Sequence, residues 1–383
     1  MVSVPGPGIY VHVPFCRQKC RYCSFVSRGY TSSAVRDYFQ AVTAQIRHMR
    51  TCRSWKNMEF STVFFGGGTP SLLAPDMLCE LVQLILRSFR VPCRQPEISI
   101  EINPATVNVQ SLKQLRGCGF NRLSIGVQSM QAVELAVLGR VHGVQEAIQT
   151  MQAARATGFE NYSVDLMYGI PGQDLSSWTE SLQQVLAHHP RHLSLYELTV
   201  EEGTPMAELV ERGQLVIPDE ELVLSMMEQI EKYLIPAGLQ RYEISNYAFP
   251  GYECRHNCNY WRNGSYLGFG PSAVSAHQGT RWITISDPAA FNRGLGIAQD
   301  GTWEEEHLEQ EAYFRETVMI GLRMVQGIEL ESLGKRFGLS VLDYYKEVIP
   351  GLLKHGLIKI EEGRLFLSRK GMQVANMVMA EFV

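Results

Sequence analysis

Three cysteines near the start of the chain, Cys16, Cys20 and Cys23, follow the apolar run of residues 9–15 in a CxxxCxxC spacing. Cysteine thiolates, usually four of them, hold iron–sulfur clusters. Three closely spaced thiolates hold three irons of a [4Fe–4S] cube and leave the fourth iron open to a substrate or cofactor. Position 25, where a nearby fourth cysteine would stand, is Phe25. The spacing therefore predicts a [4Fe–4S] cluster ligated by these three cysteines.

A zinc site and three unrelated core cysteines are the alternatives to a cluster. Structural zinc takes four ligands, commonly from two spaced pairs, and no matching pair follows the three cysteines. Much later in the chain, Cys254 and Cys258 flank His256. Either could offer a thiolate ligand, but nothing in their spacing requires one.

The elements that must position these cysteines alternate between strands and helices. Helical patterns such as residues 112–117 and 144–157 separate short apolar segments, which indicates a parallel sheet with helices outside it. The predicted fold class is α/β, with an incomplete (β/α)6 barrel. Its six predicted strands are residues 9–15, 62–65, 97–102, 122–127, 162–167 and 192–198.

Polar residues and glycines recur on these strands or directly after them. The cysteines follow the first strand and a GGG run follows the second, whereas Glu101, Gln128 and Asp165 belong to the next three. Reactive groups of such barrels collect at the C-terminal ends of the strands. These motifs are therefore expected to share one face of the barrel.

Two of these features have specific chemical uses. The GGGTP segment of residues 66–70 lets the backbone approach a ligand closely, although a tight strand-to-helix turn explains it equally well in isolation. Glu101 is an acid within an apolar strand, and a buried carboxylate needs a partner. That partner is either a cationic group of a ligand or a nearby arginine.

The motifs together resemble the radical S-adenosylmethionine (SAM) superfamily, in which an aromatic residue, here Tyr22, precedes the last cysteine. In chain order, IYVHVPFC, FFGGGTPS, EINP, RLSIGVQS, DLMYGIPGQ and HNCNYW resemble its HemN/HemW branch over nearly the whole chain. The resemblance implies that SAM occupies the open iron. In that superfamily an external electron donor drives cleavage of SAM to methionine and a 5′-deoxyadenosyl radical, and the resemblance leaves open whether this protein cleaves SAM.

The resemblance further implies which residues contact the cofactors, while leaving open whether one or two SAM molecules bind. Residues matching the branch at cofactor-binding positions are Tyr10, Tyr22, Gly67, Gly68, Thr69, Glu101, Gln128, Arg140, Asp165 and His256.

The segment RHNCNYW of residues 255–261 resembles an HNxxYW motif of the HemW proteins. It implies a haem site, with His256 as a candidate iron ligand and Tyr260 and Trp261 stacking on the macrocycle. A structural role, bracing the loop before YLGFGPSA, is the alternative for His256.

Two functions are compatible with this branch. An oxygen-independent coproporphyrinogen III oxidase resembles CxxxCxxCxC and carries a long segment before the cysteines, whereas this chain has Phe25 and fifteen preceding residues. Both departures favour a haem chaperone of the HemW type. It would bind haem and pass it to an acceptor protein, such as a membrane-associated respiratory enzyme. No catalytic residue is assigned.

The last part of the chain reads as helices, a hairpin at residues 357–368 and a final helix, which is typical of a winged-helix-like α+β domain. Residues 331–383 carry a net charge of +2, too little for a phosphate-binding stripe, so no nucleic-acid partner is expected. The predicted domains are residues 1–215 for the barrel, 216–305 for a connecting region and 306–383 for the C-terminal domain.

Composition limits the location and the chemistry of the cysteines. The 383 residues include nine cysteines and no recognisable targeting segment, which favours free thiols in a reducing cytoplasm. The net charge is −4, and no apolar run reaches membrane-spanning length. The acidic run of residues 304–311 is expected to form the first turn of a helix.

Overall fold

The computed structural model describes residues 6–91, 95–294 and 303–383. Its strands are β1 Gly8–Val13, β2 Phe15–Cys16, β3 Arg28–Gly29, β4 Thr62–Gly67, β5 Glu97–Ile102, β6 Arg122–Gln128, β7 Asn161–Tyr168, β8 His192–Glu197, β9 Gln240–Arg241, β10 Asn246–Ala248, β11 Tyr266–Phe269, β12 Val274–His277, β13 Thr280–Thr284, β14 Trp303–His307, β15 Ile328–Glu329, β16 Ile358–Glu361 and β17 Arg364–Leu367.

Helices cover the outside of the main β-sheet and build most of the C-terminal part. They are α1 Ser32–Met49, α2 Arg53–Lys56, α3 Pro75–Ser88, α4 Val109–Gly117, α5 Ala132–Leu138, α6 Val144–Ala156, α7 Leu175–Leu186, α8 Pro205–Glu211, α9 Glu220–Leu234, α10 Arg255–Trp261, α11 Pro288–Arg293, α12 Gln310–Gly321, α13 Leu330–Phe337, α14 Val341–Tyr344, α15 Ile349–Lys354, α16 Arg369–Gln373 and α17 Ala375–Ala380.

The main sheet is open and has parallel strands at its centre. Its order is β14-β13-β12-β11-β1-β4-β5-β6-β7-β8-β10-β9, and every neighbouring pair from β11 to β8 is parallel. The next neighbour of β8 is the antiparallel β10 and not β1, so the barrel does not close. The incomplete α/β barrel is therefore confirmed, with all six predicted strands present.

A seventh parallel strand, β11, was not predicted. It pairs with β1 on the side away from β4, with Gly8 opposite Tyr266 and Val11 opposite Phe269. Its four residues include Gly268, where a Cβ would clash with the Val274 carbonyl oxygen. A strand this short with a glycine inside it lacks the apolar pattern that identified the other six.

One hydrophobic core lies between the sheet and its outer helices. Side chains of the parallel strands pack against α1, α3, α4, α6 and α7, and Trp178 and Phe65 are fully buried there. Met226 and Leu234 of α9 and Phe269 of β11 belong to the same core. Much of the predicted connecting region therefore packs as part of the barrel body, while the boundaries at 215 and 305 stay predictions.

A second core organises the C-terminal part. Phe314, Phe337, Leu365 and Phe382 are buried in it, and the order β15-β17-β16 forms its small antiparallel sheet. The predicted hairpin is present, and Glu362 and Gly363 adopt positive φ angles between β16 and β17. The winged-helix-like α+β domain is thus confirmed.

The acidic run is placed differently from the prediction. Residues 304–306 lie in β14, which pairs with β13, and α12 begins only at Gln310. Arg281 of β13 lies opposite Glu306 and pairs with it. This cross-strand cation stabilises an acidic side chain that has low strand propensity.

The expectation of free thiols is wrong for one cysteine pair. Cys79 of α3 and Cys118, just after α4, form a disulfide with Cα atoms 5.4 Å apart, since the two helices pack side by side. Within the described ranges, no helix combines the length and the apolar character required to cross a bilayer.

Candidate cofactor site at the carboxyl ends of the barrel strands

The three predicted cluster ligands lie on one loop between β1 and β3. Cys16 ends β2, which pairs with β3, and the Cys23 amide donates to the Cys20 carbonyl at 3.2 Å. All three cysteines are free and partly buried. Within the described ranges, no three His, Cys, Asp or Glu side chains lie close enough together to bind one metal ion. Thiolates that each bind a different iron of a cube stand further apart than ligands of one ion.

The thiols of this loop nevertheless interact electrostatically. Burial raises the pKa of Cys23, and Cys20 and Cys16 raise it further, against a backbone hydrogen bond from Phe25. Ionising all three thiols without a counter-charge is therefore unfavourable. A cationic metal cluster supplies that counter-charge, so this donor set fits an iron–sulfur cluster.

Arg140 links this loop to the strand face. One guanidinium nitrogen donates to the Sγ of Cys20 at 3.3 Å and another to the Gly126 carbonyl oxygen at 2.7 Å. Its Nε is buried without a hydrogen-bond partner in the described structure. Burial raises the pKa of the neighbouring Tyr22 hydroxyl, and the charge of Arg140 lowers it. Arg140, Tyr22 and Cys20 thus act as one polar unit.

The glycine loop packs directly against the cysteine loop. The amide of Gly68 donates to the Val13 carbonyl and that of Thr69 to the Phe15 carbonyl, at 2.9 and 2.7 Å. A Cβ at Gly68 would meet the Phe15 carbonyl oxygen at 2.6 Å. Close approach of the two backbones therefore explains this glycine without a ligand. Cofactor contacts of Gly67, Gly68 and Thr69 stay predictions.

Glu101 and Asp165 point into the same space above the strands. The Gly67 amide donates to Glu101 at 3.1 Å, and the hydroxyl groups of Ser124 and Ser163 donate to Asp165. Burial and then the neighbouring Asp165 raise the pKa of Glu101 to about 8. Burial likewise raises the pKa of Asp165. A cationic group bound here would relieve this repulsion.

These carboxyl groups line a polar cavity of about 270 Å³ inside the barrel. Four predicted site residues, Tyr10, Glu101, Asp165 and His256, meet at it. Its other lining residues are Phe64, Arg122, Ser124, Ser194, Tyr196, Asn257 and Tyr260. Gln128 and Arg140 belong to the rim, where β6 is bulged between Gly126 and Gln128 and Gln128 adopts a φ of 70°.

Arg122 at the start of β6 is a site residue that the sequence reasoning missed. It is 2% exposed, and its Nε lacks a hydrogen-bond partner in the described structure. Its positive charge lowers the pKa of Glu101 and of His256. The available signal was an arginine at the head of the otherwise apolar segment RLSIGV, because an unpaired arginine is rarely buried.

Glu97, also overlooked, explains why the RHNCNYW segment forms α10 at this place. Its carboxylate oxygens accept the backbone amides of Arg255 and His256, each at 3.0 Å. A carboxylate at a helix N-terminus satisfies amides that have no partner within the helix. Glu97 on β5 thereby fixes the first turn of α10 against the barrel.

His256 lies fully inside this arrangement. Its Nδ1 is 2.7 Å from the Thr62 hydroxyl, its Nε2 is 3.0 Å from the Tyr260 hydroxyl, and its ring stacks on Phe64. Burial lowers the pKa of His256 to about 3, so the imidazole is neutral. With both ring nitrogens engaged, this geometry favours the bracing role, and haem ligation by His256 stays an untested prediction.

The two cysteines flanking His256 do not extend the cluster site. Cys254 and Cys258 are buried, and the Cys254 thiol faces Glu97 at 3.7 Å. Burial raises the pKa of Cys254 to about 12 and also raises the pKa of Cys258. Both are therefore neutral, buried thiols, Cys254 at the start of α10 and Cys258 within it.

Comparison with known proteins agrees with this geometry. The radical SAM superfamily matches residues 10–185, and the HemN C-terminal domain matches residues 308–374. Heme chaperone HemW of Bacillus subtilis is 33% identical over 376 residues, covering 98% of each chain. HemW of Escherichia coli is 38% identical over 275 residues, 71% of each chain.

Similarity also extends to a mitochondrial protein and to a solved structure. The radical S-adenosyl methionine domain-containing protein 1 of Mus musculus is 32% identical, covering 97% of this chain and 86% of its own. The coproporphyrinogen III oxidase HemN of Escherichia coli superposes with a TM-score of 0.83 at 22% identity, covering 99% of this chain and 90% of that one. That structural match shows the shared fold. The chain therefore belongs to the radical SAM superfamily and, within it, to the HemN/HemW branch.

Proposed function

We propose that this protein is a haem chaperone that binds haem and transfers it to an acceptor protein. The observation that carries the proposal is similarity over 98% of both chains to a protein named heme chaperone HemW. Phe25 supports it, because the additional cysteine expected of an oxidase is absent from that position. We also propose a [4Fe–4S] cluster on Cys16, Cys20 and Cys23, with SAM at its open iron.

Residues around the cysteine loop are suited to hold these cofactors. When bound, the cluster and SAM supply one-electron cleavage chemistry. Arg140 donates a hydrogen bond to the Cys20 sulfur and so orients that cysteine within the loop. Glu101 and Asp165 present two carboxyl groups, one of them fixed by the Gly67 amide, to cationic or hydroxyl groups of a cofactor.

The proposed partners follow from this function. They are haem, a haem-less acceptor such as a membrane-associated respiratory enzyme, and an external electron donor. We also propose that the protein works in a reducing compartment, the cytoplasm, because oxidation of the three free thiols of the loop would prevent cluster assembly. In that compartment Cys79 and Cys118, which are disulfide-bonded in the structure, are expected to be reduced.

Anaerobic haem titration of the reconstituted protein tests the proposal. We expect saturable binding followed by recovery of activity when the loaded protein is mixed with a haem-depleted acceptor. Equal recovery with free haem at the same concentration would contradict chaperone activity.

The same sample tests the alternative function, which the three free cysteines of the loop allow although Phe25 replaces the further cysteine of the oxidases. Coproporphyrinogen III, SAM and a reductant are supplied without oxygen. We expect no protoporphyrinogen. Its formation over many turnovers would identify an oxygen-independent coproporphyrinogen III oxidase instead.

A further inference from the structure

Two half-buried cysteines lie on neighbouring outer helices of the barrel, outside the predicted cluster loop. Cys79 belongs to the second turn of α3 and Cys118 follows the last residue of α4, and a disulfide joins them with their Cα atoms 5.4 Å apart. This separation lies within the range that a disulfide spans without movement of the backbone. Neither the cluster site nor the proposed haem function uses this pair.

The two helices do not depend on the disulfide for their positions. Leu78 on α3 and Leu115 on α4 are each 1% exposed and belong to the core of the barrel. The side-chain amide of Gln114 on α4 also donates to the Asp76 carboxylate on α3. These contacts hold α3 against α4 in either redox state, so the two sulfur atoms stay within reach of each other when the bond is open.

The cysteine pair is accessible from the surface. Both of its members are partly exposed, whereas Cys254 and Cys258 are at most 1% exposed. Gly117, next to Cys118, is exposed, and a Cβ built there would meet nothing within 4 Å beyond the adjoining backbone. A reacting partner needs such open space, because thiol–disulfide exchange proceeds through a mixed disulfide. The geometry therefore allows the bond to form and to open in the folded protein.

The helices that carry the pair begin next to two loops of the predicted cofactor site. The GGGTP segment leads into α3 through the short turn Pro70–Leu72, and Glu101 leads into α4 through the turn Pro104–Thr106. The hydroxyl groups of Ser71 and Thr106 lie 2.6 Å apart and join the two turns. A covalent bond between α3 and α4 therefore restrains the relative motion of the two loops.

We propose that Cys79 and Cys118 form a reversible thiol–disulfide site that ties α3 to α4 when the protein is oxidised. The oxidant is a low-molecular-weight disulfide such as glutathione disulfide. One cysteine thiolate attacks it, which releases one glutathione and leaves a mixed disulfide, and the second cysteine thiolate then displaces the other glutathione. Two electrons and two protons pass from the protein to the oxidant, and excess reduced glutathione reverses both steps. The oxidised form restrains the two loops, and the reduced form releases them.

Peptide mapping tests whether the bond forms reversibly. The reconstituted protein is equilibrated without oxygen in buffers of reduced and oxidised glutathione, alkylated and digested with trypsin. Cys79 and Cys118 fall in the tryptic peptides 57–87 and 117–122, neither of which holds another cysteine. We expect a disulfide-linked pair of these peptides to be nearly absent in reduced glutathione and nearly complete in glutathione disulfide. The pair should disappear when reduced glutathione is restored, and the iron content should stay constant throughout.

Hydrogen exchange and thermal unfolding test what the bond does. Amides of residues 69–73 and 103–107 should exchange more slowly in the oxidised form, whereas those of β16 and β17 should exchange equally in both forms. Oxidation should raise the Tm by about 5 °C. Cys79→Ser and Cys118→Ser should each abolish both differences. Cys52→Ser is the matched control and should keep them, because Cys52 is a half-buried free cysteine outside the pair.

Three outcomes would overturn the proposal. Linkage that persists in excess reduced glutathione would make the bond a permanent structural one. Glutathione adducts without linkage of the two peptides would show that the helices do not close the bond. Equal hydrogen exchange of the two loops in both forms would leave the bond without effect on the site. None of these measurements involves haem, so failure of the haem-chaperone proposal leaves them interpretable.

Discussion

Arg140 and Cys20, which are 120 positions apart in the sequence, are in direct contact, with a guanidinium nitrogen 3.3 Å from the thiol sulfur. A second nitrogen of the same arginine binds the Gly126 carbonyl at 2.7 Å. The bond to β6 thereby holds the positive charge of Arg140 next to Cys20. A hydrogen-bonded cation next to a cluster sulfur favours the reduced, more negative cluster.

Replacing Arg140 should therefore change the cluster's potential more than its assembly. Arg140→Leu leaves Cys16, Cys20 and Cys23 in place, so we expect near-normal iron content and a lower reduction potential by anaerobic titration. Arg140→Lys keeps the charge but loses the two-pronged contact, and should fall between wild type and Arg140→Leu. An unchanged potential in both variants would show that the contact to Cys20 is absent from the loaded protein.

The three cysteines should be individually required for the cluster. We expect Cys16→Ala, Cys20→Ala and Cys23→Ala to lose the brown chromophore and most of the iron after anaerobic reconstitution, because each removes one of three protein ligands. Cys52→Ala is the matched control, since Cys52 is also a free, partly buried cysteine but lies outside the loop. Four irons per chain in the triple variant would refute the assignment.

The sequence predicted the sheet well because each parallel strand is a short apolar run between helices. The six predicted strands agree with β1 and β4–β8 to within two residues. By contrast, β11 and α10 depend on contacts made by residues far away in the chain. Only the folded chain brings the Glu97 carboxylate to the first amides of α10 and Gly8 opposite Tyr266.

Prediction of the site residues likewise succeeded where the signal was local in the sequence and failed where it depended on distant residues. Glu101 and Asp165 were identifiable because an acid in an apolar strand is conspicuous. Arg122 and Glu97 stand at strand starts, where charged residues are ordinarily solvated, so a charge at the head of an apolar segment was a weaker signal than an acid inside one. The hydrogen bonds that occupy His256 come from Thr62 and Tyr260, and the first lies 194 positions away.

Glu101 should make the stability of the cofactor-free protein depend on pH. Its pKa is about 8 in the folded protein, above the usual 4.5, because of burial and then Asp165. Its stabilising contribution is complete below the unfolded pKa and is lost as the pH rises through 8. We expect Glu101→Gln to be more stable than wild type at pH 9, by up to about 4 kcal/mol. The two proteins should be similar at pH 5. Urea unfolding measures both, and a parallel pH dependence would place the titration elsewhere.

His256 should contribute to stability and not to the haem spectrum. His256→Ala removes two buried hydrogen bonds and the stacking on Phe64, which we expect to cost about 2–4 kcal/mol in the free energy of unfolding. The Soret band of the haem-loaded protein should keep its position, because neither ring nitrogen is free in this geometry. Tyr260→Phe is the matched control, since it removes one of the two hydrogen bonds and keeps the ring. A shifted Soret band in His256→Ala, with the band unchanged in Tyr260→Phe, would make His256 the iron ligand and show that haem binding opens the Thr62 or Tyr260 contact.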